Sequence, residues 1–349
     1  QAAALMSFAV SIRQHGGPIA VEAGATILEA ALAQGVPYPH GCRSGNCGAC
    51  KSVLEAGEVD LAPYSEYALT EAERAQGLIL ACRATPWSDA TVAWLETDEM
   101  VAHPLRYLSC RVIGLADLTH DIKRVHLEIV SGGPFDFSAG QYAALRVAGL
   151  PARDFSMANR PDEPVLEFHV RHMMGGAASR YIVQNLALGE TVRLEGPFGS
   201  AHLREHHTGP ILAIAGGSGL APIKSIVETA LWRGARQPIR LYIGARDERD
   251  LYLVEHFDAL AAAHPNLRVT PVLSEPQRRT ARRTGFVHEA VAADIGDLDG
   301  AKAYIAGPPV MVEAATAMLL SRGLPRQDIH ADAFYTEADK PTLNAGVGA

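Results

Sequence analysis

The segment Tyr38-Pro-His-Gly-Cys42-Arg-Ser-Gly-Asn-Cys47-Gly-Ala-Cys50 holds three of the chain's five cysteines within nine residues, and Cys82 follows 32 positions after Cys50. The order C-x4-C-x2-C with one distant cysteine is the ligand spacing of a plant-type 2Fe-2S cluster, in which four thiolates hold two irons. Cys42, Cys47, Cys50 and Cys82 are therefore the candidate metal ligands. Ligands this close must wrap one compact centre, so the backbone between them has to turn sharply. Gly41, Gly45 and Gly48 supply that freedom, because glycine accepts backbone angles that a Cβ forbids. The same turns leave N–H groups to point at the sulfurs, which tunes the cluster's potential. Other metal chemistries fit less well. Structural zinc usually takes two separated C-x2-C pairs, and only one is present. A Rieske centre needs two histidine ligands, and no Cys-x-His occurs. Disulfides are disfavoured in a chain without an export signal.

Outward from this loop, the flanking sequence reads as a small α+β module. Residues 7–13 and 18–22 form two short strands around the hairpin signal His15-Gly-Gly17. Thr26-Ile-Leu-Glu29 is a capping box opening a helix that Gly35 closes. Residues 51–54 read as a strand, Thr70-Glu-Ala-Glu73 as a second capping box, and residues 78–84 as a buried strand delivering Cys82. Residues 90–95 complete a small mixed sheet crossed by a helix, the β-grasp plan of ferredoxins. The expected domain runs from 6 to 98, with a linker at 99–106 marked by Pro104. Gln1-Ala-Ala-Ala-Leu reads as a remnant ahead of a native start at Met6.

From residue 107 to 205 the pattern changes to short alternating strands, which predicts an antiparallel Greek-key β-barrel. Examples are 110–115, 125–129, 142–147, 165–170 and 190–194. Cys110 fits a buried small hydrophobe there better than a redox group. From 208 to 336 strands alternate with helices, the pattern of a doubly wound α/β parallel sheet. The fold class is thus multidomain, and a Gly/Ala-rich tail at 337–349 is expected to be disordered.

Length and composition agree. The 349 residues suggest two to three domains, and 48% hydrophobic with 20% charged residues is ordinary for a globular protein. No apolar run approaches the ~18 residues of a membrane span, and the expected location is cytoplasmic. The net charge is −8, and residues 1–100 alone carry 5 Lys+Arg against 12 Asp+Glu. Such an acidic module either steers a basic docking partner or simply keeps a small domain in solution. Nucleic acid is disfavoured as a partner, since phosphate is repelled.

Two further sites follow from the sequence. After an apolar strand at 211–215, Gly216-Gly217-Ser218-Gly219-Leu-Ala-Pro222 leads into a helix expected at 223–232 with Pro222 in its first position. N–H groups there can cradle a pyrophosphate, although glycines also serve tight packing. A second turn, Gly307-Pro308-Pro309-Val-Met311, ends a later strand, at the edge where such sheets bind ligands. The barrel carries Arg153-Asp-Phe155-Ser156 and the run His169-Val170-Arg171-His-Met-Met-Gly175-Gly176-Ala177-Ala-Ser179. These arginines and open N–H groups suit a second diphosphate, or pair with surface carboxylates. Arg246 could accept a 2′-phosphate, whereas Asp247 and Glu248 beside it would repel one and bind ribose hydroxyls, which favours NADH over NADPH.

Taken together and in this order, Arg153-x-Phe-Ser156, Gly175-Gly-x-x-Ser179, Gly216-Gly-x-Gly-x-Ala-Pro222 and Gly307-Pro-Pro-x-Met311 resemble the ferredoxin–NAD(P)H reductase superfamily. With the cluster module N-terminal, the chain is similar to the reductase components of bacterial aromatic-ring-hydroxylating dioxygenases. Thr119-His-Asp-Ile-Lys-Arg124, His207-Thr-Gly-Pro210 and Asp332-Ala-Phe334-Tyr335 carry the likeness to the naphthalene dioxygenase branch. The resemblance implies electrons passing from NADH through FAD to the cluster and on to an oxygenase, directly or via a separate ferredoxin docking on the acidic module. It implies that Arg153 and Ser179 hold the FAD diphosphate, that Phe155 packs on the flavin, and that Ser156 approaches it. Phe334 would lie near the flavin ring, and Gly217 and Gly219 would cradle the dinucleotide. Phe155 stands where the family usually has Tyr, Ala306 where many members have Cys, and His40-Gly41 beside the first ligand are also departures. The alternatives are the reductase of a diiron monooxygenase or of a deoxysugar pathway, or a redox sensor that keeps the cluster without catalysis.

Overall fold

The computed structural model describes residues 6–95, 101 and 103–336. The remnant expected at 1–5, residues 96–98 at the end of the first expected domain, residues 99, 100 and 102 of the linker, and the tail at 337–349 lie outside them. The chain divides into two compact units, one of the first 105 residues with the segment from Tyr335 onward, the other Arg106–Phe334.

In the first unit, β1 (Ser7–Ile12), β2 (Pro18–Glu22), β3 (Lys51–Ala56), β5 (Leu78–Leu80) and β7 (Ala90–Trp94) form one sheet in the order β2-β1-β7-β3-β5. β4 (Val59–Leu61) and β6 (Ala84–Pro86) form a separate ribbon. Only β1 and β7 are parallel, so the sheet is mixed as expected. Alternation along β1 and β2 turns Val10, Ile12, Ile19 and Val21 inward. The helix α1 (Ile27–Ala33) lays Ile27, Leu28 and Ala31 on this face, each large aliphatic worth about 1.5–3 kcal/mol of burial. Both capping boxes form, Thr26 with Glu29 on α1 and Thr70 with Glu73 on α2 (Glu71–Ala75). The strand expected at 78–84 is corrected. It breaks after Leu80, and Cys82 sits in a turn before β6. A ligand that must face a loop cannot stay in a ladder whose side chains alternate between sheet faces.

The second unit begins with β8 (Arg106–Asp117), so Arg106 belongs to a strand rather than to the linker, paired with Gly196. With β9 (Ile122–Ser131), β10 (Tyr142–Arg146), β11 (Arg153–Ser156), β12 (Leu166–Arg171) and β13 (Thr191–Phe198) it builds a six-stranded antiparallel sheet in the order β11-β10-β13-β8-β9-β12. A bridge between Met157 and Phe168 nearly closes it into a barrel. Leu108, Cys110, Val112, Leu127 and Phe168 fill the inside. Cys110 is fully buried, which pushes its thiol up to about 11 and fits an inert packing role. A short helix α3 (Ala177–Gln184) follows β12.

The remainder is a parallel sheet in the order β17-β16-β15-β14-β18-β19. Its strands are β14 (Ile211–Gly216), β15 (Ile239–Ala245), β16 (Leu267–Leu273), β17 (Arg283–Thr284), β18 (Lys302–Gly307) and β19 (Ile329–Ala333). The helices are α4 (Leu220–Trp232), α5 (Val254–Ala263), α6 (Val287–Asp294) and α7 (Pro309–Ser321). The chain winds outward from β14 to β17 and then crosses back to β18, so the order reverses between β14 and β18. Ligands of such sheets bind at that reversal. The helix expected from 223 in fact starts at Leu220, which places Pro222 in its third position. That is tolerated because the first four helical N–H groups have no internal partner. Among the described residues no helix is long and apolar enough to cross a membrane.

Candidate functional site

The cysteine loop shows how its sequence makes a metal cradle. The backbone N–H groups of Ser44 and Asn46 donate to Cys42 Sγ at 3.5 and 3.2 Å. Those of Cys42 and Cys82 donate to Cys47 Sγ at 3.3 Å and Cys50 Sγ at 3.5 Å. Gly45 and Gly48 take positive φ of 82° and 75° as expected. Gly41 does not. Its reason is space, since a Cβ there would stand 3.1 Å from Cys47 Sγ. Arg43 takes the left-handed strain instead, with φ of 53°.

The four thiols also perturb one another. A hydrogen bond with Cys47 lowers the Cys42 thiol to about 5. Cys47 and Cys82 are pushed up by their bonds to Cys42 and Cys50 and by burial. The Cys42 thiolate forms readily, whereas those of Cys47 and Cys82 are opposed in the absence of a cation. The donor chemistry and the inward N–H groups therefore fit a 2Fe-2S cluster. Burial drives His40 down to about 4, so its ring is neutral and Nδ1–H donates to the Tyr38 carbonyl at 2.7 Å.

In the second unit, the two glycine turns expected to meet a dinucleotide pack on each other. A Cβ on Gly219 would stand 2.1 Å from the Ala306 carbonyl, and one on Gly216 would stand 2.5 Å from Met311 Sδ. A Cβ on Gly307, whose φ is 143°, would stand 2.7 Å from the Gly216 carbonyl. Gly217 takes φ of 54° and opens the turn, with Ser218 beside it, into α4. Close packing and an anion cradle are thus served by the same residues. The C-terminal segment joins them. The Phe334 N–H donates to the Gly307 carbonyl at 2.9 Å, and the buried Ser156 Oγ lies 3.5 Å from Asp332 Oδ2.

On the barrel, Phe155 is half-buried against the core and Arg153 is exposed, its Nη1 on the Ala152 carbonyl at 2.8 Å. Gly175 takes φ of 79°, and Gly176 leads into α3 of Ala177. Ser179 Oγ ties this loop together by accepting from the Met173 N–H at 3.1 Å and donating to the Gly176 carbonyl at 3.2 Å. A Cβ on Gly176 would stand 2.6 Å from that oxygen. An exposed arginine on the barrel and a glycine loop at a helix N-terminus are each groups that suit a bound diphosphate.

At the reversal of the parallel sheet lies a cleft of about 180 Å³, lined by Asp121, Arg171, Gly216, Gly217, Arg246, Asp250, Phe286, Pro308 and Met311 among others. Arg171 is not open to a ligand on all sides, because its Nε donates to Asp121 Oδ2 at 2.8 Å. Asp247 and Glu248 do not line this cleft. Asp247 caps a short turn and accepts from the Gln277 N–H at 3.1 Å, while Glu248 is held by Thr280 at 2.7 Å and Arg282 at 2.9 Å. Beside Asp121, which Arg171 occupies, the cleft holds a second carboxylate, Asp250, absent from the sequence-derived candidates. Its Oδ2 lies 3.5 Å from Arg246 Nε, and its buried Oδ1 accepts no hydrogen bond, with His120 Nδ1 3.7 Å away.

A buried polar cluster also escaped the sequence reading. Glu167 meets His169 Nε2 at 2.8 Å, His126 Nε2 at 3.0 Å and Lys224 Nζ at 3.6 Å. Burial alone would raise the Glu167 carboxyl, but hydrogen bonds from His126 and His169 and the charge of Lys224 hold it far below the usual range. Burial lowers His169 and keeps it neutral. Val170, between His169 and Arg171, is fully buried.

Comparison with known proteins agrees with this anatomy. Residues 12–86 match the family model described as a 2Fe-2S iron-sulfur cluster binding domain, 109–203 an oxidoreductase FAD-binding domain and 213–317 an oxidoreductase NAD-binding domain. The chain is 40% identical to the ferredoxin–NAD(P)+ reductase component of the naphthalene 1,2-dioxygenase/salicylate 5-hydroxylase systems of Ralstonia sp., covering 90% of this chain and 94% of that one. It is 40% identical to the phenol 2-monooxygenase reductase component DmpP of Pseudomonas sp. strain CF600, covering 96% of each. Among solved structures, the Amycolatopsis cytochrome P450 reductase GcoB superposes with a TM-score of 0.80 at 40% identity, over 94% of this chain and 98% of that one. The chain belongs to the ferredoxin–NAD(P)+ reductase components and is an NAD(P)H-dependent flavin and iron–sulfur oxidoreductase.

Proposed function

We propose that NADH binds in the cleft beside Gly216, that FAD lies along the barrel between Arg153–Ser156 and residues 175–179, and that electrons leave from the cysteine loop to an oxygenase component. The observation that carries this reading is the meeting of Ser156, Asp332, Phe334 and Gly307 at one end of the second unit. That meeting brings the flavin motif to the ligand edge of the parallel sheet. When bound, the nicotinamide supplies a hydride, and the flavin and cluster convert it into single electrons. The chain's residues hold and screen. Ser156 presents a buried hydroxyl, Phe334 covers the apolar side, and Arg153 with the residues near Ser179 offsets diphosphate charge.

Asp250 sets the nucleotide preference. Its carboxylate, lining the cleft, accepts from a ribose hydroxyl and repels a 2′-phosphate, which favours NADH. The relatives serve a dioxygenase, a monooxygenase and a cytochrome P450 at the same 40% identity, so an aromatic oxygenase, reached directly or through a ferredoxin, is the common acceptor class. Its docking face is the acidic N-terminal unit, and free cysteines suit the cytoplasm. The visible spectrum before and after one anaerobic equivalent of NADH tests the reading. Flavin and cluster bands that both bleach support it; a cluster indifferent to NADH refutes it.

A further inference from the structure

Along β12, Glu167, His169 and Arg171 alternate with buried Phe168 and Val170, so the three share one face. Two of them converge on one glycine. Arg171 Nη1 lies 3.1 Å from the position a Cβ on Gly217 would take. His169 reaches the same residue through Tyr252, whose hydroxyl is 3.2 Å from His169 Nδ1 and 3.3 Å from the Gly217 carbonyl. The two rings meet edge-on with centroids 5.4 Å apart at 78°, and Tyr252 is 6% exposed.

The protons can be assigned. Glu167 is ionised and only accepts, so His169 carries its proton on Nε2 and leaves Nδ1 as an acceptor. The Tyr252 hydroxyl has one proton and two acceptors in reach, and shares that proton between His169 Nδ1 at 3.2 Å and the Gly217 carbonyl at 3.3 Å as a three-centre bond.

We propose that Tyr252 is a positioning residue for the dinucleotide, its hydroxyl joining the Gly217 turn to the His169–Glu167 pair on the barrel and so setting where the pyrophosphate is received. The proposal rests on the reading of the cleft as the dinucleotide site. Gly217 is the left-handed residue from which that turn departs, and its carbonyl orientation sets where the following N–H groups point. Tyr252 couples that orientation to β12, the strand that leads into the loop at 175–179.

The test is isothermal titration of the FAD-loaded full chain with NAD+, for the natural protein, Tyr252→Phe, His169→Gln and the double variant. Tyr252→Phe should weaken the Kd about fivefold, the scale of one neutral hydrogen bond. KM for NADH should rise in parallel, while kcat, flavin content and Tm hold. The double variant should lose no more than the larger single loss, because the two residues act in one chain. A Kd within twofold of the natural protein, a Tyr252→Phe loss matched by lost flavin or Tm, or fully additive losses would overturn the proposal. If the natural protein itself takes up no NAD+, the cleft is not the dinucleotide site, and the proposal falls with it whatever the variants do.

Discussion

Asp250 illustrates how much a single residue's surroundings decide. It stands in a run of charges, Arg246-Asp-Glu-Arg-Asp250, in which every carboxylate looks equivalent as text. In the fold Asp247 is held by Gln277 and Glu248 by Thr280 and Arg282 away from the cleft, whereas Asp250 of that run lines it. Asp250→Ala should lower the NADH-over-NADPH ratio of kcat/KM by about tenfold, the scale of a lost charge-assisted hydrogen bond together with relieved phosphate repulsion. An unchanged ratio would return the assignment to Asp247 and Glu248. The cysteines pose no such ambiguity, because their chemistry is stated by spacing alone and the loop has only to close.

At the scale of elements, the glycine turns after β14 and β18 act as one packed piece. Gly219→Ala forces a Cβ against the Ala306 carbonyl and the Gly307 N–H, both backbone groups that cannot swing aside. The expected result is loss of nucleotide binding with a destabilisation of about 2–3 kcal/mol, read from the Tm of the flavin-loaded protein; a fully stable variant with intact NAD+ affinity would show that the turns can separate. The polar cluster between β12 and α4 gives a pH-dependent prediction. The folded-state Glu167 carboxyl titrates far below its ordinary 4.5, so its stabilisation is complete above that value and is lost as pH falls further. His169 is depressed below 6.5, so the unfolded chain takes up its proton first and stability declines as pH drops through 6.5. Glu167→Gln should cost about 3 kcal/mol at pH 7, because it leaves Lys224 and two histidines without their shared anion. That deficit should shrink below pH 4.5, and a deficit independent of pH would deny the carboxylate its charge-bearing role.

At the scale of the whole molecule, each unit has its own apolar core. Iron removal by a chelator under reducing conditions should therefore act locally. The first unit should melt at lower temperature, because a cluster held only by the folded cysteine loop stabilises the folded state and its removal takes that stabilisation away. NADH-driven reduction of a small dye should persist through Arg106–Phe334, while electron delivery to a one-electron protein acceptor is lost. Loss of dye reduction together with the cluster would show that the units depend on one another.

Local spacing by itself determined the 2Fe-2S character of the first domain, the capping boxes, the barrel-to-parallel-sheet change of pattern and the order of the nucleotide motifs, because each depends on residues a few positions apart. It also misplaced the end of the linker at Arg106, the backbone of Gly41, and the strand carrying Cys82 and the start of α4, where a turn within an apolar run left no break in the pattern. Only the tertiary structure decided which carboxylate enters the cleft, that Arg171 pairs with Asp121, and that Glu167, His169, Lys224 and Tyr252 meet. Those four come from β12, α4 and the segment before α5, and side chains so far apart along the chain acquire partners only when the barrel and the parallel sheet are packed together.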